Sequence, residues 1–508
     1  MRTVGVVLVA MSLVLVSPGV AIGVGGTDDG AMRETNDTAV GGTDDEAMGK
    51  TNDTAVGAPA DPKNDVVGWE NGYWYNESIA VDQSDGLTDA ERRAYVSRGM
   101  ARVEQLRNEE FERNVTVEAL PRAQYRNMVR VQAQSEFGPA QRAWENQVWE
   151  ALFAVDEPTD AVREQVQLRT ERVVFFNLTG TAKIYTVSGQ EGPLVVDNAT
   201  LVHELVHALQ DQQVGLLSPA FQAQTMDGRH GQQGLVEGEA RLVEKLYARR
   251  CAGEWECVTT PGPEPPRAPY GGGPLPDYNL AMQVATIQPY SDGPAYVATQ
   301  IDAGDASGSN WSQLDYERPP KTSEQIIDPR TDNDPPRTLR LGTLPREGWK
   351  LFGKQGVNGS QTVGEAGIFT MFWYQGRAAD NPVVPWRGFE TPEDGTFDDF
   401  NYTSVPSDGW ANDRLWPVRN GEKRGYVWRT TWDTTEDARE FQRAYRELLA
   451  GRNATQVGPD TWAIDRGGFA DAFHVVRDGK TVTVVNGPTV GALTEVRPGI
   501  TVKNGTGG

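Results

Sequence analysis

Cysteine and histidine are both scarce in this chain, with two cysteines and four histidines among 508 residues. Two cysteines exclude a disulfide-rich scaffold, and the pair Cys251 and Cys257 alone cannot supply the four ligands of a structural zinc site. Lysine is scarce too: ten lysines stand against thirty-eight arginines, and the formal net charge is −23. An acidic surface repels phosphate backbones, so no nucleic-acid partner is expected. Acid excess with little lysine fits a halophilic protein, kept hydrated by its carboxylates and screened from self-repulsion by salt. No calcium-loop pattern organises those acids. Apolar runs of membrane-spanning length are missing throughout.

The N-terminus holds the one short apolar run. Met1-Arg2-Thr3 is a basic start, Val4 to Val16 is apolar, and Ser17-Pro18-Gly19-Val20-Ala21 offers small residues for cleavage. This predicts a signal peptide over 1–23 and a secreted or cell-surface protein with no transmembrane anchor and no lipid-bearing cysteine. Residues 24–66 carry a repeat of period 16, Gly25-Gly26-Thr27-Asp28-Asp29 recurring as Gly41-Gly42-Thr43-Asp44-Asp45. Such a segment buries too little to offset its ordering entropy, so a disordered acidic spacer is expected. Eleven Asn-X-Ser/Thr sequons mark candidate glycans on an exported protein, among them Asn36, Asn52, Asn76, Asn198, Asn310, Asn401 and Asn453. In an oxidising compartment Cys251 and Cys257 are expected to form a local disulfide.

Two of the four histidines stand in His203-Glu204-Leu205-Val206-His207. Positions i and i+4 share a helix face, so both imidazoles can reach one Zn2+ while Glu204 stays beside a metal-bound water. Chance would place HExxH in roughly one such chain in several hundred. Leu201, Val202, Leu205, Val206 and Leu209 give the apolar stripe of the required helix, and Asp197, Asn198 and Thr200 offer capping oxygens. A second helical stripe, Val236, Ala240, Val243 and Tyr247, follows downstream.

That second stretch, Glu237-Gly238-Glu239-Ala240, resembles the gluzincins, HExxH zinc metallopeptidases of the peptidase MA clan whose third ligand is a glutamate on a second helix, often in an E-G-x-A context. The resemblance implies His203, His207 and Glu237 as metal ligands, with Glu239 as the alternative third ligand. It implies Glu204 as general base and acid in hydrolysing a peptide or protein substrate. His230 or Tyr247 would supply an oxyanion donor. Several gluzincins carry an aspartate four residues after the third ligand to orient a zinc histidine, but Arg241 stands there, and Asp211 does not fill the role. The chain is also similar to exported bacterial and archaeal HExxH proteins of largely unknown function through His203 to Gln212, Gly234 to Ala240, Pro289 to Val297 and Pro319 to Pro329. Shorter stretches around Gly364, Gly409 to Arg414 and Trp428 to Phe441 fit as well. Relatives often carry a histidine where Asp328 stands.

The expected class is α+β: a zincin-like catalytic region over 67–405, with active-site helix, glutamate helix and helical extension, then a small α+β unit over 406–508. Helices are expected over 87–113 and 139–153, and strands over 115–120, 172–176 and 182–187, one of them edging a substrate cleft. In the C-terminal unit Tyr426 to Trp432 alternates like a strand, and a helix follows with Ala438, Phe441, Tyr445 and Leu448 on one face. An Asp478-Gly479 turn joins two strands between Ala472 and Val485, where His474 reads as structural. The competing reading is a non-catalytic cell-surface interaction protein containing zinc.

Overall fold

The computed structural model describes residues 60–502 apart from 174, 189–193, 262–269, 271–273, 303–309, 332–335, 379–382 and 392–396. The expected signal peptide, nearly all of the acidic spacer, and Asn36 and Asn52 lie outside the described residues. The molecule is mixed α+β. Among the described residues no helix is long and apolar enough to cross a membrane.

A two-residue hairpin, β1 (Trp69–Glu70) and β2 (Tyr73–Trp74), precedes α1 (Asp89–Arg107). Thr88 and Glu91 form a reciprocal capping box at the start of α1, and left-handed Asn108 ends it. Then come β3 (Thr116–Pro121), α2 (Arg122–Glu136), α3 (Pro139–Ala151), α4 (Ala161–Arg172), β4 (Phe175–Leu178) and β5 (Lys183–Ser188). The three strands form a sheet in the order β3-β5-β4. β5 runs parallel to β3 and antiparallel to β4. The strand directly preceding the HExxH helix is therefore central, and the open edges among the described residues are β3 and β4.

Next are α5 (Asn198–Val214), α6 (Met226–Cys251), α7 (Leu280–Gln300) and α8 (Ser323–Ile327), then β6 (Lys350–Leu351) and α9 (Gly364–Ala378). The chain closes with β7 (Trp410–Asn420), β8 (Lys423–Trp432), α10 (Thr435–Gly451), β9 (Thr455–Gly458), β10 (Thr461–Ala463), β11 (Ala472–Asp478), β12 (Thr481–Gly487) and α11 (Val490–Val496). Seven strands pair antiparallel in the order β6-β7-β8-β12-β11-β10-β9. Alternation decides the two faces. Trp428 and Val484 join the core containing Phe441 and Leu448 of α10, whereas Val427 and Val485 pack with Leu493 and Val496 of α11. The expected Asp478-Gly479 turn is present, with Gly479 at φ 57. The sheet starts earlier than the expected division at 405/406. β6 pairs with β7, Gln361 bridges to Leu415, and Phe369 and Phe372 of α9 share the α10 core.

Among the described residues, the two largest of four apolar cores meet along α7. One gathers α3, α7, α9 and the large sheet; the other gathers α1, α5, α6 and the end of α7. α7 contributes to both, with Val284 in the first and Val297 in the second.

Candidate metal centre

Asp197 caps α5 by accepting from the Thr200 backbone N–H at 2.8 Å, and left-handed Gly215 closes the helix. Asn198 and Ala199 are half-buried, and Thr200 to Gln210 are all buried. α6 is anchored at its start: Met226 N donates to Gln361 Oε1 at 2.8 Å, and Asp227 Oδ1 accepts from Ser323 N and Oγ at 2.7 and 2.8 Å. Midway, α6 meets α7 at glycine. A Cβ on Gly238 would lie 2.4 Å from the Gly293 backbone, so only two glycines permit this approach. That contact is one residue from Glu237.

The two helices bring three ligand groups to one point. Glu237 Oε2 lies 3.3 Å from His203 Nε2 and 3.0 Å from His207 Nε2, and the two Nε2 atoms are 3.1 Å apart. These three residues could hold one metal ion. Zinc bonds of about 2.0–2.2 Å place neighbouring ligand atoms of a tetrahedron about 3.3–3.6 Å apart, a few tenths of an ångström above the observed spacing. Two imidazole nitrogens aimed at each other can share at most one proton, so a cation between them resolves the contact.

Each histidine is held from behind. His207 Nδ1 meets Gln210 Oε1 at 2.8 Å, and Gln210 Nε2 donates to Val236 O and Glu239 Oε2 at 2.9 and 2.8 Å. His203 Nδ1 lies 3.4 Å from Glu244 Oε2, within ion-pair distance. Glu244 is itself paired with Arg241, which also donates to Asp399 at 3.0 Å, as Lys245 does at 2.6 Å. The carboxylate facing His203 Nδ1 is thus that of Glu244, and Arg241 pairs with it.

Charge follows this arrangement. Burial opposes ionisation of both histidines, but the Glu237 charge and hydrogen bonds outweigh it, raising His203 and taking His207 to about 9. Burial would raise Glu237, yet the two imidazoles hold it at about 2; Arg241 and His203 do the same for Glu244, also about 2. Glu204 is buried on the same helix, its charge felt by His207. Tyr290 of α7 stacks on the His203 ring, centroids 6.0 Å apart at 14°, and its hydroxyl meets the Glu237 carboxylate. Burial first, then the charges of Glu237 and Glu204, keep that phenol protonated.

Other expected residues lie elsewhere. Glu239 is fully buried but pairs with Arg107 and accepts from Gln210 and Tyr316, outside the ligand group. His230 is buried and kept neutral, lowered to about 3 by burial and by neighbouring Arg229, and is not among the converging groups. The Tyr247 hydroxyl accepts from Arg102 at 2.9 Å, and its ring packs edge-on against Trp255, a structural role. Asp211 accepts from Gly180 N at 2.6 Å, tying the β4–β5 turn to α5. His474 meets Thr461 Oγ1 at 3.0 Å within the large sheet. Cys251 and Cys257 are joined as a disulfide where α6 ends.

Of the sequons, Asn76 and Asn453 are exposed, and Asn401 is half-buried. Asn198 has its amide committed inside the fold, donating to Val258 O at 2.6 Å and accepting from Tyr95 at 2.9 Å. A glycan on Asn198 is incompatible with those bonds. Tyr290, Glu244 and Gln210 carry no HExxH signal. Gln210 and Glu244 could have been found by helix spacing from His207 and Glu237, whereas Tyr290 reaches the site only through tertiary packing.

Residues 351–497 match a family model described as Domain of unknown function (DUF8575). The match covers α9, most of the large sheet, α10 and α11, and leaves His203, His207 and Glu237 outside it. No curated protein and no solved structure matches the chain.

Proposed function

We propose that the chain is a secreted zinc-dependent peptidase with a gluzincin-like arrangement in a zincin-like core: His203 Nε2, His207 Nε2 and Glu237 hold the metal, and Glu204 is the general base. The observation that carries this reading is that one oxygen of Glu237 meets both Nε2 atoms of an HExxH helix that also bears a buried Glu204. When bound, zinc supplies Lewis acidity and a water acidic enough to lose its proton near neutral pH. Glu204 would accept that proton and return it to the amine nitrogen that leaves as the peptide C–N bond breaks. Glu244 and Gln210 fix the imidazole tautomers, keeping each Nε2 lone pair directed at the centre. Tyr290, a protonated phenol held against Glu237, takes the place of His230 and Tyr247 as the donor beside the metal group for a developing oxyanion.

A second reading, a non-catalytic cell-surface zinc-containing interaction protein, is favoured by one observation: His203, Glu204, His207 and Glu237 are each at most 5 % exposed. A peptide must reach these groups to be cut. The readings separate by measuring zinc and cleavage under high salt. Purified protein should contain about one zinc per chain, and Glu204→Gln should keep it while losing cleavage of an unstructured protein substrate. Metal content near zero refutes both readings. Metal with no cleavage by either form across a broad peptide library establishes the second.

A further inference from the structure

A cavity of about 540 Å3 lies between the end of α1, the C-terminal half of α5, Glu239 of α6 and the loop 310–316. Its volume falls within the range of small-molecule sites. The floor contains a buried ion pair, Arg107 Nε with Glu239 Oε1, whose side chains are 7 % and 0 % exposed. Both Glu239 oxygens are engaged: Oε1 faces Arg107 in the ion pair, and Oε2 accepts from Gln210 Nε2 and the Tyr316 hydroxyl.

Arg107 is not saturated. Its guanidinium lies 4.1 Å over the Trp311 ring, which fixes its plane, and its Nη1 is buried without a hydrogen-bond partner. A buried charged donor left unpaired beside a cavity calls for an acceptor from outside, and the planar fork suits a carboxylate. Leu209, Trp311 and Leu314 are buried apolar residues of the cavity wall, and they fit an aliphatic body. Half-buried Glu109 on the same wall opposes a multiply charged anion such as phosphate.

We propose that this cavity is a binding site for a small monocarboxylate with an aliphatic body, the carboxylate seated on Arg107 Nη1 and the body against Leu209, Trp311 and Leu314. The site is separate from the metal ligands and stands whether or not the protein cleaves peptides.

The test is calorimetric titration of the full secreted chain with N-acetyl-L-leucine, its neutral amide and inorganic phosphate. The acid should bind at one site per chain, and the amide and phosphate at least about tenfold more weakly. Arg107→Met breaks the buried pair and tests folding as much as binding. The deciding variant is Ser312→Trp, at an exposed wall position, which fills the cavity and leaves Arg107 and Glu239 together. It should lose at least about tenfold in affinity for the acid at an unchanged thermal midpoint. No saturable binding of the acid up to about 10 mM overturns the site. Equal binding of acid and amide, or tighter binding of phosphate, overturns the ligand class, and full binding by Ser312→Trp overturns the location.

Discussion

Replacing Glu244 should loosen the metal without removing a ligand. The carboxylate sits 3.4 Å behind His203 Nδ1 and is locked by Arg241, which Asp399 holds in turn. Glu244→Ala removes the acceptor that selects the His203 tautomer and leaves the ring to rotate. Loss of such a partner typically weakens metal binding about 10–100-fold, or about 1.4–2.7 kcal/mol. The effect should lie toward the upper end, because the Glu244 side chain is only 9 % exposed and water substitutes poorly for it. Glu244→Gln keeps an acceptor without the charge and should lie toward the lower end.

The assay is competition for Zn2+ against a chromophoric chelator, with wild type, Glu244→Ala, Glu244→Gln and Asp399→Asn compared at one pH and salt. Asp399→Asn leaves the pair of Glu244 with Arg241 in place and should change zinc affinity less than threefold. Wild-type affinity in Glu244→Ala, with the protein folded, refutes the assignment of Glu244 as the residue that positions His203. An equal loss in Asp399→Asn would show a general loosening of α6 instead.

Glu237→Ala should lose the metal, whereas Glu239→Ala should keep it in whatever protein folds but lose about 3–5 kcal/mol of stability by stranding buried Arg107; denaturation and zinc content together check this. In metal-free protein His207 is raised above 6.5 to about 9, so its stabilising contribution is complete below about 6.5 and is lost as pH rises through about 9. Zinc must displace that proton, so affinity should climb about tenfold per pH unit between 6.5 and 8.5; a flat profile contradicts the His207–Glu237 pairing. Gly238→Ala should cost about 1–3 kcal/mol by driving a methyl into the Gly293 backbone, measured by denaturation beside an exposed control such as Gly253→Ala, where a Cβ meets nothing within 4 Å.

The elements legible in the sequence are those with one wet face. α10 buries Ala438, Phe441, Tyr445 and Leu448 and nothing opposite them, so its stripe could be read directly. α7 could not be read, because Pro289, Gly293 and Pro294 are break signals, and the helix persists through packing on α6. α1 is buried all round from Ala94 to Glu104, which erases an apolar stripe, and the expected range 87–113 overruns both of its ends. The early start of the large sheet was hidden for another reason: β6 is two residues long and gains its identity only by pairing with Val418 and Arg419.

The convergence of His203, His207 and Glu237 was legible because one helix face and one E-G-x-A context mark these positions locally. The residues behind them were sought by a spacing that does not apply here. On a straight helix a residue four positions beyond Glu237 is turned about 40° from it, whereas one seven positions beyond is turned about 20° the other way and lies two turns along. Position 244 can therefore serve His203 as well as 241 could, provided something holds its carboxylate in an apolar interior. Arg241, three residues before it on the same face, does so. Arg241 and Glu244 together occupy the place of a single orienting acid, and this makes a prediction about their order of action. Arg241→Met should weaken zinc less than Glu244→Ala, because His203 then keeps its acceptor and loses only that acceptor's anchor.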